Sequence, residues 1–357
     1  MYYINPNVKD LYRVKFHDKR GEVLRLDMNE NPVGLPLDFV EEVKKKITPS
    51  FLATYPEKDE LLELIAKHNG VAAENISLTC GSDEAMRLIF QCFGEEGKDL
   101  VTVTPTFEMY DVYSKMFGMN HVTAEYGTDF SVKVSDILDS ITPQTGIVIL
   151  LNPNSPVGTA YTKEEFQAIV KKAAACNAIV VVDEAYHYFY APTFLQDAVK
   201  EEHVIVLRTF SKLCSIAGLR VGYATANPQL IDYIEKAEST FNVNNVGILF
   251  ATEVLKRPDM MEQMIQEEKA GHDWLAAEIK NAGYQIFSGN GNYLLFYPHK
   301  DSKTIVNKLK EQGIWIRDYG RGILKGWLRV STGDVASMKK FWEAFVKVDE
   351  KLYRHNK

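Results

Sequence analysis

The sequence is poor in cysteine. Its four cysteines are scattered among 357 residues, none forms a CxxC pair, and no cluster of cysteine and histidine has zinc-binding spacing. Scattered cysteines in a chain of this length are typical of reduced thiols in a cytoplasmic protein. We therefore expect a cytoplasmic location, no disulfide framework and no metal site.

Long apolar runs are also missing. No run approaches the roughly 20 residues that a membrane-spanning helix needs, and residues 1–10 are polar, without the apolar segment of a signal peptide. Positive charge is not in excess either, because the net charge is −7 at pH 7. This acidic balance disfavours nucleic acid or an anionic membrane as the main partner.

What is present is an ordinary globular composition, with 46% hydrophobic and 25% charged residues. A chain of this length exceeds one small core, so two domains of unequal size are expected. The middle of the chain alternates apolar strand-like runs with amphipathic helical segments, which predicts a mostly parallel α/β sheet. The predicted strands are Leu100–Thr104, Ile147–Leu151, Ile179–Asp183, Val204–Thr209 and Leu219–Thr225.

The pattern changes after about residue 246. One long helical segment is followed by a strand at Tyr293–Tyr297, a further helix and a strand at Trp327–Ser331. This order indicates a smaller α+β domain. The first 30 or so residues are predicted to form an extended arm. In the middle region, Thr162 and Glu165 predict the capped start of a helix over Lys163–Ala175.

The first chemical signal is Lys212, which follows the buried strand Val204–Thr209 directly. Open α/β sheets bind ligands at the carboxyl ends of their strands. A lysine that is partly desolvated there becomes a nucleophile towards an aldehyde. The hydroxyls of Thr209 and Ser211 and the guanidinium of Arg220 suit a phosphorylated cofactor. Taken alone, the segment is equally compatible with a solvated lysine and arginine beside a loop.

The segment Thr79–Met86 offers an anion site. Gly81 permits a close approach of the backbone, Ser82 and Asp83 can cap, and a helix is expected over Glu84–Phe93. Free N–H groups at a helix start bind phosphate well. A plain capping motif is the commoner explanation of such a segment by itself.

An aspartate, Asp183, closes the apolar run Val180–Val182. A carboxylate in that position is costly unless a cation meets it. The protonated nitrogen of a pyridine ring would be such a cation, and the pairing makes the ring a better electron sink. An N-capping or metal-binding aspartate is the alternative, but no second acidic strand end or nucleotide-binding loop supports a metal.

Two further strand ends carry candidate contacts to a planar ring. Asn154 lies in a Pro- and Gly-rich turn at 151–158, where its amide can bond to a ring hydroxyl. Tyr110 follows the strand that ends at Thr104 and can stack on a ring, although an aromatic residue there more often only packs.

Together and in this order, these segments resemble the class I and II (fold type I) aminotransferases that use pyridoxal phosphate, and most closely the histidinol-phosphate aminotransferase group. The resemblance covers nearly the whole chain. Its motifs are Leu26–Gly34, Tyr55–Pro56, Gly81–Glu84, Asn152–Gly158, Asp183–Tyr186, Ser211–Lys212, Ala217–Arg220, Phe241–Asn244, Ile316–Asp318 and Leu328–Gly333.

The resemblance implies an aspartate-aminotransferase-like architecture. Its large domain, with a mostly parallel seven-stranded sheet, would span residues 31–245. The N-terminal arm would be residues 1–30 and the small α+β domain residues 246–357. The implied active unit is a homodimer, in which Tyr55 reaches the cofactor phosphate of the neighbouring subunit.

The implied cofactor is pyridoxal 5′-phosphate. Lys212 would hold it as a Schiff base and shuttle a proton, and Asp183 would pair with the ring nitrogen. Asn154 and Tyr186 would contact the ring hydroxyl, while Tyr110 would stack on the ring. The phosphate would be bound by the backbone of Ser82 and Asp83 and by the side chains of Thr209, Ser211 and Arg220.

The implied substrates are an amino donor and a 2-oxo acid acceptor such as 2-oxoglutarate, and the implied process is amino-acid biosynthesis. Arg329 would clamp the carboxylate of the donor, and Arg317 lies where the histidinol-phosphate enzymes bind the substrate phosphate. Asn31 is a third predicted substrate contact. The pocket rim departs from the family: the turn Asn154–Gly158 lacks the usual Asn-Asn-Pro-Thr-Gly, and His187–Tyr190 replaces a segment with an acidic residue.

The sequence is compatible with other functions as well. The same lysine serves a decarboxylase of the threonine-phosphate type or a β-lyase. A nicotinamide-dependent oxidoreductase is disfavoured, because no GxGxxG follows a strand. A non-catalytic regulator on this fold would carry a fused DNA-binding domain, whereas here the arm begins near residue 1, and Lys212 is retained.

Overall fold

The structure is a computed structural model that describes residues 2–14 and 21–349. Its strands are β1 (Leu24–Arg25), β2 (Ile76–Thr79), β3 (Asp99–Thr104), β4 (Asn120–Glu125), β5 (Thr145–Leu151), β6 (Ile179–Asp183), β7 (Val204–Thr209), β8 (Gly222–Thr225), β9 (Gln285–Ser288), β10 (Tyr293–Tyr297), β11 (Ile314–Trp315), β12 (Arg317–Asp318) and β13 (Leu328–Ser331).

The α-helices are α1 (Pro6–Lys9), α2 (Leu37–Lys44), α3 (Pro49–Ala53), α4 (Asp59–Asn69), α5 (Gly81–Phe93), α6 (Met109–Met116), α7 (Val134–Ser140), α8 (Lys163–Ala174), α9 (Leu195–Ala198), α10 (Pro228–Ala237), α11 (Asn245–Leu255), α12 (Pro258–Asn281), α13 (Ser302–Glu311) and α14 (Val335–Asp349). Short 3₁₀ turns lie at Ala73–Asn75, His187–Phe189, Ala217–Leu219 and Gly322–Leu324. Within the described residues no helix has both the length and the apolar character needed to cross a membrane.

A seven-stranded sheet organises the larger part of the chain, in the order β2-β8-β7-β6-β5-β3-β4. Strands β3 to β7 pair in parallel, and β8 is antiparallel to both of its neighbours. Alternate residues of each central strand enter the cores on opposite faces. In β6, Val180 and Val182 join one core, and Ile179 and Val181 join the other. The predicted mostly parallel α/β fold is confirmed.

The helices α8 and α5 begin in different ways. At α8, the Thr162 side chain accepts from the Glu165 N–H and the Glu165 carboxylate accepts from the Thr162 N–H, as a capping box predicts. At α5, the helix begins at Gly81, and no side chain caps it. The expectation that Ser82 and Asp83 cap this helix was wrong, because both lie inside its first turn.

The predicted strand Leu219–Thr225 begins three residues later than expected, at Gly222. The 3₁₀ turn at Ala217–Leu219 and the left-handed backbone of Arg220, with φ of 55°, end any extended run before that point. This irregular turn directs the Arg220 side chain back towards Gly81.

A second sheet, in the order β12-β13-β10-β9, is antiparallel throughout. The single long helix expected after residue 246 is in fact two, α11 and α12, since Pro258 suits only the first turn of a new helix. Part of the predicted arm is ordered against this region: β1 pairs in parallel with β11, and Leu26 is fully buried in the same core. The proposed limits 1–30, 31–245 and 246–357 stay predictions, and residues 1, 15–20 and 350–357 lie outside the described ranges.

Candidate active site

The site forms where the parallel strands end. Asp183 is the last residue of β6, and Lys212 follows the end of β7, the parallel neighbour of β6. The Lys212 Nζ donates to the carbonyl of Met28 at 3.1 Å and lies 5.7 Å from the centroid of the Tyr186 ring. The sheet topology therefore brings the three predicted catalytic residues together.

The Asp183 carboxylate is buried among neutral partners. It accepts from the Tyr110 hydroxyl at 2.9 Å and from the Ala185 N–H at 3.1 Å. Burial raises the pKa of Asp183 to about 6, although both hydrogen bonds and the charge of Lys212 act in the opposite direction. Within residues 2–14 and 21–349 no lysine or arginine forms an ion pair with it. A bound cation would therefore be strongly favoured here.

An anion cradle lies at the start of α5. Gly81 has φ of 77°, and a β-carbon at this position would lie 2.6 Å from Nη2 of Arg220. Thr209 pairs across the sheet with Gly222, where a β-carbon would lie 2.4 Å from the backbone nitrogen of Ser82. The strand ends and the uncapped helix start therefore approach each other as closely as glycine permits.

Groups that favour phosphate converge on this cradle. The Thr209 hydroxyl donates to the Ser211 hydroxyl at 2.9 Å. Arg220 donates to the carbonyl of Ala217 at 3.2 Å, and no described carboxylate pairs with it. An uncapped helix start, two hydroxyls and a guanidinium are a complete donor set for a phosphate group. With Asp183 and Lys212 beside them, they fit a phosphorylated pyridine aldehyde.

The predicted ring contacts are present but are engaged within the chain. The Asn154 side chain accepts from the Thr106 hydroxyl at 2.7 Å and donates to the carbonyl of Pro105 at 3.0 Å. The Tyr186 hydroxyl accepts from Asn29 Nδ2 at 2.8 Å. Tyr110 is fully buried and points its hydroxyl at Asp183. Its stacking on a ring stays a prediction.

Arg329 is a buried guanidinium without a described carboxylate partner. It donates to the Tyr319 hydroxyl at 2.7 Å, to the Ser155 hydroxyl at 3.3 Å and to the carbonyl of Asp27 at 2.5 Å. Its Nε makes no hydrogen bond. A buried positive charge held only by neutral groups is costly, and an incoming anion would relieve that cost.

Arg317 stands directly opposite Arg329, because the two are register partners on β12 and β13. Like charges in this position destabilise an antiparallel pair. The centroid of the Tyr319 ring lies 5.6 Å from the guanidinium carbon of each arginine. On its outer side, Arg317 pairs with Glu108 at 3.3 Å. The second sheet therefore places two guanidinium groups and a tyrosine where they could hold an anion.

Two predicted residues lie apart from these groups. The side chain of Asn31 donates to the Ser215 hydroxyl at 2.8 Å, in the turn that follows Lys212. Tyr55 is 75% exposed and stacks on Phe241 with centroids 4.3 Å apart. Its predicted role across a subunit interface and the substrate role of Asn31 stay predictions.

The sequence reading missed three residues of the site. Asn29, which is 1% exposed, has φ of 55° and joins Tyr186 to Ser331 through its side chain. Its only signal was its place in the motif Leu26–Gly34. Tyr319 and Glu108 gave no signal, because each contacts its arginine only in the folded chain.

Comparisons with known proteins identify the family of the chain. The family model "Aminotransferase class I and II" matches residues 21–345. A histidinol-phosphate aminotransferase of Thermoanaerobacter sp. (strain X514) is 34% identical, over 86% of this chain and 88% of that protein. The Clostridium novyi (strain NT) enzyme of the same name is 31% identical, over 91% of this chain and 92% of that protein.

Solved structures show the same fold. The histidinol-phosphate aminotransferase of Sinorhizobium meliloti, in complex with pyridoxal 5′-phosphate, has a TM-score of 0.87 at 22% identity and covers 99% of both chains. The aspartate aminotransferase of Thermus thermophilus with maleate has a TM-score of 0.76 at 21% identity and covers 91% of both chains.

The chain belongs to the class I and II aminotransferase family. It is a pyridoxal-phosphate-dependent aminotransferase of fold type I. The predicted family, fold and cofactor are confirmed, and nothing in the comparisons favours the decarboxylase or β-lyase alternative.

Proposed function

We propose that this aminotransferase takes its amino group from a donor that carries an anionic group, with histidinol phosphate as the first candidate, and passes it to a 2-oxo acid such as 2-oxoglutarate. The observation that carries the proposal is the pair Arg317 and Arg329, opposite each other on β12 and β13. Glu108 offsets the charge of Arg317 from one side, but Arg329 has only neutral partners, so an anion between the two guanidinium groups would stabilise the pair. The names of the relatives support the same donor.

The cofactor would be held by the groups already described. Lys212 would bind it through Nζ, Asp183 would face its ring nitrogen, and the cradle at the start of α5 would hold its phosphate. The cofactor supplies an aldehyde for the incoming amine and a ring that withdraws electrons from the bond that breaks. Asp183 suits a cationic ring nitrogen, because pairing would restore the charged carboxylate that burial now disfavours.

The other residues position and exchange protons. Lys212, once free, would carry the transferred proton on Nζ. Asn29 Nδ2 donates a hydrogen bond to the Tyr186 hydroxyl at 2.8 Å and so fixes its direction. The hydroxyl proton of Tyr186 is then free to be donated to the ring hydroxyl of the cofactor. Arg317 and Arg329, with Tyr319 and Ser155, would bind the anionic group of the donor and so set the orientation of the amine.

We propose further that the active unit is a cytoplasmic homodimer. Tyr2, Tyr3 and Tyr12 in the arm are 83%, 83% and 79% exposed, and the stacked pair Tyr55 and Phe241 is also exposed. Exposed aromatic surface of this kind supports burial against a second copy. The unpaired thiol state of all four cysteines fits a reducing compartment.

A half-reaction screen tests the donor. The loaded enzyme is mixed with single amines, and the loss of the aldehyde form of the cofactor is followed by absorbance. We expect phosphorylated amines of the histidinol-phosphate type to react with a higher kcat/KM than unphosphorylated amines. Equal or lower values would sink the donor assignment, and decarboxylation or elimination products in place of transamination would sink the reaction type.

A further inference from the structure

The Glu108 carboxylate forms ion pairs with two arginines, Arg317 and Arg321. Its two carboxylate oxygens reach two different guanidinium groups, Arg317 at 3.3 Å and Arg321 at 2.9 Å. The contacts join residues more than 200 positions apart in sequence. A single carboxylate that bridges two arginines uses the same donors that a phosphate group would use.

The ion pairs of Glu108 with Arg317 and Arg321 can be broken at little cost in free energy. The side chains of Glu108, Arg317 and Arg321 are 45%, 33% and 73% exposed, so water screens the ion pairs and they contribute little to stability. Glu108 is also the residue just before α6, where it holds no helix N–H with its side chain. Rotation of its side chain therefore disturbs no other described contact.

Space for that rotation lies next to the bridge. Glu108 and Arg321 line a cavity of about 520 Å³, together with Tyr319, Asp111, Glu125 and His121. Tyr319 is the residue that touches both Arg317 and Arg329. The cavity therefore lies beside a residue that contacts both arginines of the site proposed for the donor.

We infer that Glu108 is a specificity-determining residue: it acts as an internal counter-ion for Arg317 and Arg321, and an anionic group on the substrate binds by replacing it. This inference rests on the proposed anionic donor. With a neutral donor the bridge stays closed and the arginines stay neutralised. With a phosphate-bearing donor the carboxylate turns away, because a dianion that enters beside it would be repelled.

Inorganic phosphate is the direct probe. It is tested as a competitive inhibitor of the half-reaction of the loaded enzyme with whichever amino donor reacts. The variant Glu108→Gln keeps the size of the side chain and removes its charge. We expect its inhibition constant for phosphate to fall by about two- to fivefold, the size typical of one exposed charge contact. Glu125→Gln is the matched control, since Glu125 lines the same cavity without touching either arginine.

A second variant pair shows whether the effect passes through the arginines. In an Arg317→Gln/Arg321→Gln background, Glu108→Gln should change phosphate inhibition by less than about twofold, because the bridged groups are gone. A purely structural role of Glu108 would lower kcat for every donor instead. The expected pattern is a lower KM for phosphorylated amines and an unchanged kcat/KM for unphosphorylated ones.

The two proposals fail separately. If phosphorylated amines do not react but Glu108→Gln still tightens phosphate inhibition, the donor assignment is wrong and the counter-ion stands. If Glu108→Gln leaves phosphate inhibition unchanged, weakens it or matches Glu125→Gln, the counter-ion is wrong whatever the donor proves to be. Absence of phosphate inhibition in every variant would also overturn it.

Discussion

The two halves of the site are built in opposite ways. On the cofactor side, Asp183, Thr209 and Lys212 lie at or just past the ends of β6 and β7, and they are buried or nearly so. On the substrate side, Arg329 is buried, but Arg317 and Glu108 meet from partly exposed positions. The first half is fixed by the sheet, and the second by side chains that can rearrange. Such a division suits an enzyme that keeps one cofactor and exchanges several substrates.

The largest expected loss of activity comes from a substitution in the cofactor half. Lys212→Ala removes the amine that holds the cofactor and carries the proton, so transamination should fall by at least about 10³-fold. The bound cofactor should also lose the yellow colour of its lysine-linked form. Absorbance and half-reaction rates are the measurements, and exposed Lys236→Ala is the control. Activity within tenfold of the parent enzyme would contradict the assigned role of Lys212.

The next effect falls on the inner arginine. Arg329→Lys keeps the charge but loses the planar fork that donates to Tyr319 and Ser155 and that would hold the proposed anion. We expect kcat/KM for the amino donor to fall by about 10- to 100-fold, carried mostly by KM. The same change at the partly exposed outer position, Arg317→Lys, should cost less than about tenfold for that donor. Equal losses would erase the distinction between the buried inner arginine and the partly exposed outer one.

The burial of Asp183 in the cofactor half should make the stability of the protein depend on pH. Its folded-state pKa of about 6 is above the ordinary value of 3.8, so its contribution to stability is full below about pH 4 and is lost as the pH rises through 6. In protein stripped of cofactor, Asp183→Asn should therefore raise the free energy of unfolding by about 1–3 kcal/mol at pH 8 and by little at pH 4. Urea unfolding at both pH values measures this, with exposed Asp139→Asn as the control. A gain at pH 4 as large as that at pH 8 would show that charge burial is not the cause.

The same division explains what sequence could predict. Strands β6 and β7 were predicted to the residue, because strands buried on both faces are continuous apolar runs. Asp183 and Lys212 followed from their place at the ends of those runs. The start of β8 was misplaced, because a left-handed arginine after a 3₁₀ turn leaves no periodic signal.

Contacts between residues that are far apart in sequence could not be predicted from local patterns. The ion pair of Glu108 with Arg317 spans 209 positions, and the hydrogen bond of Asn29 to Tyr186 spans 157. No local pattern selects these partners. The first contact depends on how β12 and the loop before α6 meet in space, and the second on how the chain after β1 meets the chain after β6. Arg317 itself was found only by resemblance to the family, which could not show that this chain supplies its own carboxylate there.

The smallest effect concerns the part of the cofactor half that a second copy would supply. Tyr55→Phe removes one hydroxyl but keeps the ring stacked on Phe241, so the chain should fold unchanged. If that hydroxyl reaches the phosphate across a dimer interface, cofactor affinity should weaken by about three- to tenfold, the worth of one hydrogen bond. Titration of stripped protein with pyridoxal phosphate measures it, with exposed Tyr233→Phe as the control. An unchanged affinity in a protein that is dimeric by light scattering would remove Tyr55 from the cofactor half, and that half would then be built by one chain alone.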